Sequence, residues 1–482
     1  GGGDWKYAAN WSLGDVPAEG DNAFLINAGP VTLNMAQPTY PVPLNGSLQS
    51  LLMAGSSTLL HGGTYTLNIG APPDTNSGAP DYIMNPPAIG FGVNGTYGFS
   101  GGTLNSARTV VGVGGLFDAS SNPTNNPPLS GGGGLGIFNQ GGGATANHGQ
   151  LWVGFNTYGE YNLSSGTVNI GGYEMGTLVI GGKDWYGKTY VGTGVFNQTG
   201  GDVSVNGLGL FMADGPGTTG TYNLGPNGAL TVANYYVIGG GGGTATFNQT
   251  GGTNTANGML EVGGAGTGTY NLSAGNLNTG ITIVGAWGTG TFNQGLTGGG
   301  GTHTVIGTLE VGSHGSGTYN LSAGDLATGS TIVGNFGTGT FNQVGGTHVT
   351  DNLILAANPG TTGTYNLSGD PANSTLNTNF TIVGQAGTGT FTQTGGKHEV
   401  TTDLNLGQVA GSEGAYNLGG TGVVNVGRNL YVGIEGTGVF TQSGTSQVNV
   451  TGGVVLSSNV NGTGVGTYNL QGGSLTSGYT NV

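Results

Sequence analysis

The chain has 482 residues, no cysteine and a formal net charge of −15, with only 6 % of its residues charged. The lack of cysteine excludes a disulfide scaffold and zinc–cysteine sites, and the six scattered Lys and Arg residues argue against binding nucleic acid or an anionic membrane surface. No stretch approaches the ~20 apolar residues of a membrane-spanning helix. Glycine supplies 110 positions, yet 35 % of residues are hydrophobic and fall in short, regular runs, which favours a folded repeat over disorder.

The first part of the chain is less regular than the rest. Residues 1–30 contain Trp5 and Trp11 and match no repeat, so we interpret them as an N-terminal cap or assembly segment that covers an open solenoid end. Residues 31–137 contain coils such as the one around Tyr97. They also hold most of the 17 prolines, and because proline cannot donate to a ladder we predict loop insertions there.

Residues 138–482 form a regular repeat of two alternating motifs, Phe-Asn-Gln (or Phe-Thr-Gln) and Tyr-Asn-Leu. Successive motifs lie mostly 22 to 28 residues apart. We expect their aromatic rings to stack as one structural ladder. The ladder residues are Phe138, Tyr161, Phe196, Tyr222, Phe247, Tyr270, Phe292, Tyr319, Phe341, Tyr365, Phe391, Tyr416, Phe440 and Tyr468.

Each coil of this repeat contains about three short β-prone runs separated by Gly-rich corners. Helix is excluded because glycine in a helix interior costs ~1 kcal/mol relative to alanine. The pattern predicts an all-β protein, a single parallel β-helix (β-solenoid) whose coils rise by about 4.8 Å each. The Asn that follows each ring would form an amide ladder, and the pattern leaves open whether that ladder faces inward or outward.

The opening Trp5, Asn10-Trp11-Ser12 and Gly14-Asp15-Val16-Pro17, together with the Gly-Thr-Tyr-Asn-Leu-Ser and Gly-Thr-Phe-Asn-Gln coils, resembles autotransporter-passenger-like repeat proteins and other bacterial surface β-solenoids. The resemblance covers most of the chain. It implies a β-helix displayed on the cell surface or released from it, with an adhesive or scaffolding role. It carries no functional residue across.

Few residues suggest chemistry. Glu261 and Glu310 share a repeat position two coils apart, about 9.6 Å along the axis, which is a poor arrangement for a catalytic pair. His303, His348 and His398 also recur on every second coil, too far apart to share a metal ion. We interpret these histidines as decoration of one face. The sequence therefore predicts no catalytic residue, no metal site and no cofactor.

An insertion between Tyr161 and Phe196 is the best candidate for a ligand contact. Asp184, Trp185 and Tyr186 within it could touch a glycan, although a solvated excursion is the simpler interpretation. Other aromatic residues that could stack on sugars if exposed are Tyr235, Trp287 and Phe336, although for most of this set a corner or core position is the simpler interpretation.

The sequence favours a structural extracellular or cell-surface protein that is not an enzyme, with any signal peptide already removed. The chain ends at Val482 in mid-coil, and an unpaired coil is an assembly template, so we expect a filament or matrix subunit that binds copies of itself head to tail. The alternative is a surface adhesin, or a β-helix that binds or degrades carbohydrate, with surface glycans as partners.

Overall fold

The structure is a computed structural model that describes residues 96–113, 135–171, 176–185, 188–296, 299–458 and 463–481, together with eight short strands before residue 93. The chain divides into two compact units, Gly1–Phe247 (unit 1) and Asn248–Val482 (unit 2). The segments 1–30, 31–137 and 138–482 predicted from the sequence reflect the regularity of the repeat and do not coincide with these units.

The described residues form strands and turns without any helix. In chain order the strands are Gly3–Asp4, Asn22–Ile26, Val31–Leu33, Ser47–Leu48, Ser50–Ala54, Thr58–His61, Thr66–Ile69, Ala88–Gly92, Thr96–Phe99, Thr103–Val113, Leu135–Gln140, Thr145–Val153, Tyr158–Leu163, Thr167–Ile170, Thr177–Trp185, Lys188–Tyr190, Thr193–Val205, Gly209–Asp214, Thr219–Val232, Tyr235–Ile238 and Thr244–Gln249. They continue as Thr253–Val262, Thr267–Leu272, Asn276–Val284, Thr289–Gln294, Thr302–Val311, Ser316–Leu321, Asp325–Val333, Thr338–Gln343, Gly346–Leu355, Thr362–Leu367, Ser374–Val383, Thr388–Gln393, Lys397–Val400, Leu404–Leu406, Glu413–Leu418, Val423–Val426, Leu430–Val432, Thr437–Gln442, Gln447–Leu456, Val465–Leu470 and Ser474–Asn481.

Successive coils pair in parallel and in register. In unit 2, Tyr270 lies opposite Phe292, which lies opposite Tyr319. The same register holds in unit 1, where Tyr161 lies opposite Phe196. The chain is therefore a parallel β-solenoid of about 13 turns, and the predicted fold is confirmed.

The coils of unit 2 contain the three predicted β-segments. One coil has them as the separate strands Thr388–Gln393, Lys397–Val400 and Leu404–Leu406. In most coils the second and third segments join into one bent strand, such as Thr253–Val262, whose register shifts in the middle. In the first segment buried and outward residues alternate, because successive side chains of a strand point to opposite faces. This alternation places each ring inside and each Asn outside.

Tight corners explain much of the glycine content. Gly285 ends a strand with a φ of 77°, and a Cβ atom there would overlap the carbonyl oxygen of Ser316 in the next coil. A Cβ atom on Gly290, the middle residue of a Thr-Gly-Thr, would overlap the carbonyl oxygen of Val262. Glycine at these two positions lets the backbones of neighbouring coils approach closely.

Part of the irregular N-terminal region belongs to the same stack. Gly3–Asp4 pairs in parallel with Val31–Leu33, and Asn22–Ile26 pairs with Ser50–Ala54. The remaining residues of the predicted cap, and the proline-rich stretches 71–87 and 118–130, lie outside the described residues.

Candidate functional site

The aromatic residues of the repeat stack inside each unit. In unit 2 the rings from Tyr270 to Tyr468 have centroids 4.5–4.9 Å apart and planes within 13° of each other. In unit 1 the rings from Phe138 to Phe247 are 4.5–4.8 Å apart. All are buried except Tyr468, which is half-buried. Each stacked pair contributes about 0.5–1.5 kcal/mol beyond the burial of its rings.

The glutamine of each Phe motif explains why two kinds of coil alternate. Gln343 is buried, and its Oε1 accepts a hydrogen bond of 2.6 Å from the hydroxyl of Tyr365 in the next coil. Its Nε2 donates to the carbonyl oxygens of Gly346 and Thr375, at 3.0 Å each. The same tyrosine–glutamine bond, 2.5–2.6 Å long, recurs through both units. Each ladder tyrosine thus has an acceptor for its hydroxyl in the preceding coil, a role of glutamine that was not predicted from the sequence.

His303, His348 and His398 are buried, so the prediction that they decorate one face is wrong. Each imidazole lies parallel to the phenylalanine ring of its own coil, with centroids 4.9–5.0 Å apart. Each histidine occupies an inward-facing position of the second segment. The apolar residues at the same position of the alternate coils already mark it as buried, and the prediction did not take them into account. Stacking and hydrogen bonding compensate for the burial of a polar ring.

The histidines connect three successive coils by hydrogen bonds. The hydroxyl of Tyr319 donates to Gln294, so it accepts from Nδ1 of His303, at 2.9 Å. Nε2 of His303 then accepts from Thr282, at 3.2 Å, and Thr282 is bonded to Thr279, at 2.8 Å. This arrangement requires the neutral imidazole with its proton on Nδ1.

Burial sets the protonation state of this interior. Desolvation lowers the pKa of His303, His348 and His398 to about 3. The same cause raises the pKa of buried ladder tyrosines such as Tyr319 and Tyr365 well above the usual value. At neutral pH these side chains are uncharged and occupied with one another, so they offer no acid or base to a substrate.

The asparagines of the repeat form an outward-facing ladder. In unit 2, Nδ2 of Asn293 donates to Oδ1 of Asn271 at 2.9 Å, and Asn320 donates to Asn293 at 2.8 Å. Unit 1 has the same arrangement, in which Asn197 donates to Asn162. The structure thus resolves the orientation that the sequence left open.

A second aromatic ladder lies on the outside of unit 2, at a corner between coils. Trp287 and His314 stack with centroids 4.1 Å apart, and His314 and Phe336 stack at 5.0 Å. Trp287 is 70 % exposed and Phe336 is 57 % exposed. We call these three residues the corner ladder. An exposed cluster of this kind is a candidate interaction site.

Two carboxylates lie on the strands that lead into this corner. Glu261 and Glu310 face Ile283 from either side, which places them two coils apart as the sequence predicted. Oε2 of Glu310 accepts a hydrogen bond of 3.2 Å from Nδ2 of Asn335, the neighbour of Phe336. Burial raises the pKa of Glu261.

The insertion predicted to touch a glycan is an antiparallel hairpin of Thr177–Trp185 with Lys188–Tyr190. The side chains of Asp184 and Trp185 and the whole of Tyr186 lie outside the described residues. Tyr235, another candidate, is half exposed in unit 1. The structure therefore brings together Trp287 and Phe336 but provides no side-chain geometry for the insertion.

Among the described residues, no three His, Asp or Glu side chains are grouped so that they could hold a metal ion. The same part of the chain has no helix that is long and apolar enough to span a membrane. Comparison of the chain with protein-family models, with curated proteins and with solved structures gives no match.

Proposed function

We propose that the protein is a structural, non-enzymatic β-solenoid that works outside the cell, at the cell surface or in an extracellular matrix. The observation that carries this proposal is the occupied interior. The histidine, glutamine and tyrosine side chains that could do chemistry are buried and hydrogen-bonded to one another. An interior of this kind stabilises a scaffold, and its polar side chains are not available to a substrate.

The arrangement of the carboxylates supports the same proposal. A glycosidase needs two carboxyl groups about 5–9.5 Å apart facing one bond. Glu261 and Glu310 are separated by the intervening coil of Ile283, and Glu310 is engaged by Asn335. The resemblance of the repeat to bacterial surface solenoids favours the extracellular location, which is part of the proposal.

Head-to-tail association of copies of the chain is the second part of the proposal. Parallel, in-register pairing recurs from coil to coil within each unit, and a heterologous contact that repeats this operation generates an open filament. We expect electron microscopy of the purified protein over a range of concentrations to show linear assemblies. Dispersed monomers at every concentration would contradict the filament.

Enzymatic activity is tested separately. We expect no release of reducing ends when the protein is incubated with a panel of polysaccharides. Turnover that is abolished by Asp184→Ala would overturn the structural proposal in favour of a carbohydrate-degrading β-helix.

A further inference from the structure

The corner ladder ends on one side at a small residue. The backbone N–H groups of Trp287, His314 and Phe336 each donate to a carbonyl oxygen at the corner of the preceding coil, at Gly264, Ala286 and Ser313 respectively. By this register the residue that precedes Trp287 in the ladder is Ala265, which has only a methyl group. His314 covers one face of the indole. By the same register, the other face is turned toward the coil of Ala265. Because successive coils are about 4.8 Å apart, a ring placed outside the methyl group of Ala265 would lie at stacking distance from the indole, and Ala265 leaves this place, the open step, empty.

Glu261 lies on the strand that leads into this corner, at the position equivalent to Glu310, and its surroundings differ from those of Glu310. Glu310 bonds to Asn335 in the next coil, but the residue equivalent to Asn335 in the coil after Glu261 is Ala286, which has no donor side chain. Among the described residues, no hydrogen bond or ion pair reaches the carboxylate of Glu261. A partly buried carboxylate without a donor is an acceptor for the hydroxyl groups of a ligand.

We propose that the corner formed by Ala265, Glu261 and Trp287 binds one pyranose unit of a neutral glycan. The C–H groups on one face of the sugar would pack on the open face of Trp287, in the place that a ring at position 265 would occupy. Its hydroxyl groups would donate to the carboxylate of Glu261. The exposed hydroxyl of Thr267, two residues beyond Ala265, is a further polar partner at the edge of the step.

The charge and shape of the corner distinguish a neutral sugar from other ligands. A net charge of −15 and the carboxylate of Glu261 disfavour an acidic sugar, because like charges at an interface repel. A quaternary ammonium is typically held in a cage of several aromatic faces. Here Trp287 presents a single open face with hydroxyl and carboxylate groups beside it, which is better suited to a polyhydroxylated ring.

The proposal is tested by titrating the full chain with cellohexaose, chitohexaose and mannohexaose and following tryptophan fluorescence and heat. We expect at least one of these neutral probes to bind. Trp287→Ala should weaken that binding about tenfold or more, as for an aromatic anchor. Ala265→Trp should abolish it while keeping Trp287, because a new ring fills the open step. Glu261→Gln should weaken it about fivefold, because hydrogen bonds to a charged acceptor are stronger.

Two matched variants serve as controls. Phe336→Ala removes the exposed ring at the other end of the corner ladder, and Glu310→Gln changes the carboxylate that Asn335 already engages; both should bind within about twofold of the parent. The outcomes that would overturn the proposal are no binding of any neutral probe, unchanged binding by Ala265→Trp, or an equal loss in Phe336→Ala. Tighter binding of tetramethylammonium or of tetragalacturonate than of every neutral probe would also overturn it. Circular dichroism melts confirm that each variant is folded.

Discussion

The two units fill the same interior row with different chemistry. In unit 1 the second residue of the second segment is apolar in every described coil: Leu104, Ala146, Val168, Val203 and Leu230. From Asn254 to His398 in unit 2 the same row alternates between polar residues in the Phe coils and Leu in the Tyr coils, as Asn254, Leu277, His303, Leu326, His348, Leu376 and His398. The same fold therefore tolerates either apolar side chains or hydrogen-bonded polar side chains at this interior position.

The polar row requires a matching change in the neighbouring coil. Each of its histidines faces a threonine pair in the preceding coil; for His348 the pair is Thr328 and Thr331. Near the C-terminal end the row returns to Val448, and the preceding coil has Val426 and Leu430 instead of threonines. In this row histidine and threonine pair thus appear and disappear together, as expected if the threonines supply the donor for the buried Nε2 of the imidazole.

The largest expected difference between the units is their sensitivity to acid. A histidine with a pKa near 6.5 when unfolded and about 3 when folded binds its proton only in the unfolded chain between these values. Its contribution to stability is therefore complete above pH 6.5 and declines as the pH falls toward 3. At pH 4.5 each such histidine lowers the free energy of unfolding by on the order of 3 kcal/mol relative to neutral pH. Unit 2 has three in its polar row, whereas unit 1 has one described buried histidine, His148.

Hydrogen exchange measured by mass spectrometry at pH 7 and pH 4.5 reports on both units in one sample. After correction for the intrinsic pH dependence of exchange, we expect unit 2 to lose more protection than unit 1. Replacing His303, His348 and His398 by Leu, the residue of the alternate coils, should remove most of this difference. An equal loss in both units, or a triple variant that stays as acid-sensitive as the parent, would refute the interpretation.

Truncation of the aromatic column is expected to have the next largest effect. Phe341→Ala should lower the free energy of unfolding by about 3–5 kcal/mol, because it removes a buried ring and leaves a cavity. Phe196→Ala in unit 1 should cost about 1 kcal/mol less, because Phe341 also stacks on His348. Denaturant titrations give both values. A cost below about 1 kcal/mol for Phe341→Ala would show that the column is not tightly packed.

The two units should differ less strongly in the contribution of the glutamine–tyrosine hydrogen bond to stability. Gln343→Leu should cost about 1–3 kcal/mol, because it takes the acceptor from Tyr365 and the donors from two carbonyl oxygens. Adding Tyr365→Phe should recover little of the lost stability, because His348 then loses its hydrogen-bond partner, the hydroxyl of Tyr365. The equivalent pair Gln140→Leu and Tyr161→Phe in unit 1 should recover more, because the residue at the histidine position there is Ala146. Equal recovery in the two double variants would contradict the role assigned to His348.

Much of the fold could be predicted from the repeat. The alternating motifs identify the strands, their parallel register and the residues that stack, because in-register coils place equivalent residues above one another. The inward role of glutamine was available in the same pattern: Gln follows the Phe motifs and Leu follows the Tyr motifs, so each buried hydroxyl has an acceptor in the adjacent coil. No position for this glutamine was predicted from the sequence, because polar side chains of its kind are mostly exposed.

The candidate site could be predicted only in part. Trp287 and Phe336 were predicted only as aromatic residues that could stack on sugars if exposed, and their stacking through His314 depends on which corner residues share a register. The contrast between Glu261 and Glu310 was also hidden, since it depends on the corner residue of the following coil, Ala286 or Asn335. Corner length varies from coil to coil, so sequence spacing alone does not align these positions.

The interior ladder is tested most directly by spectrophotometric titration of the 20 tyrosines. Burial raises the pKa of ladder tyrosines such as Tyr161, Tyr319 and Tyr416, so the folded chain keeps them protonated while the unfolded chain ionises near pH 10. Their contribution to stability is present below pH 10 and is lost as the pH rises above it. We expect only the exposed tyrosines to ionise around pH 10–11, and the ladder to ionise in one step as the circular dichroism of the fold disappears. Ionisation of all 20 near pH 10, with the circular dichroism unchanged, would contradict the buried ladder.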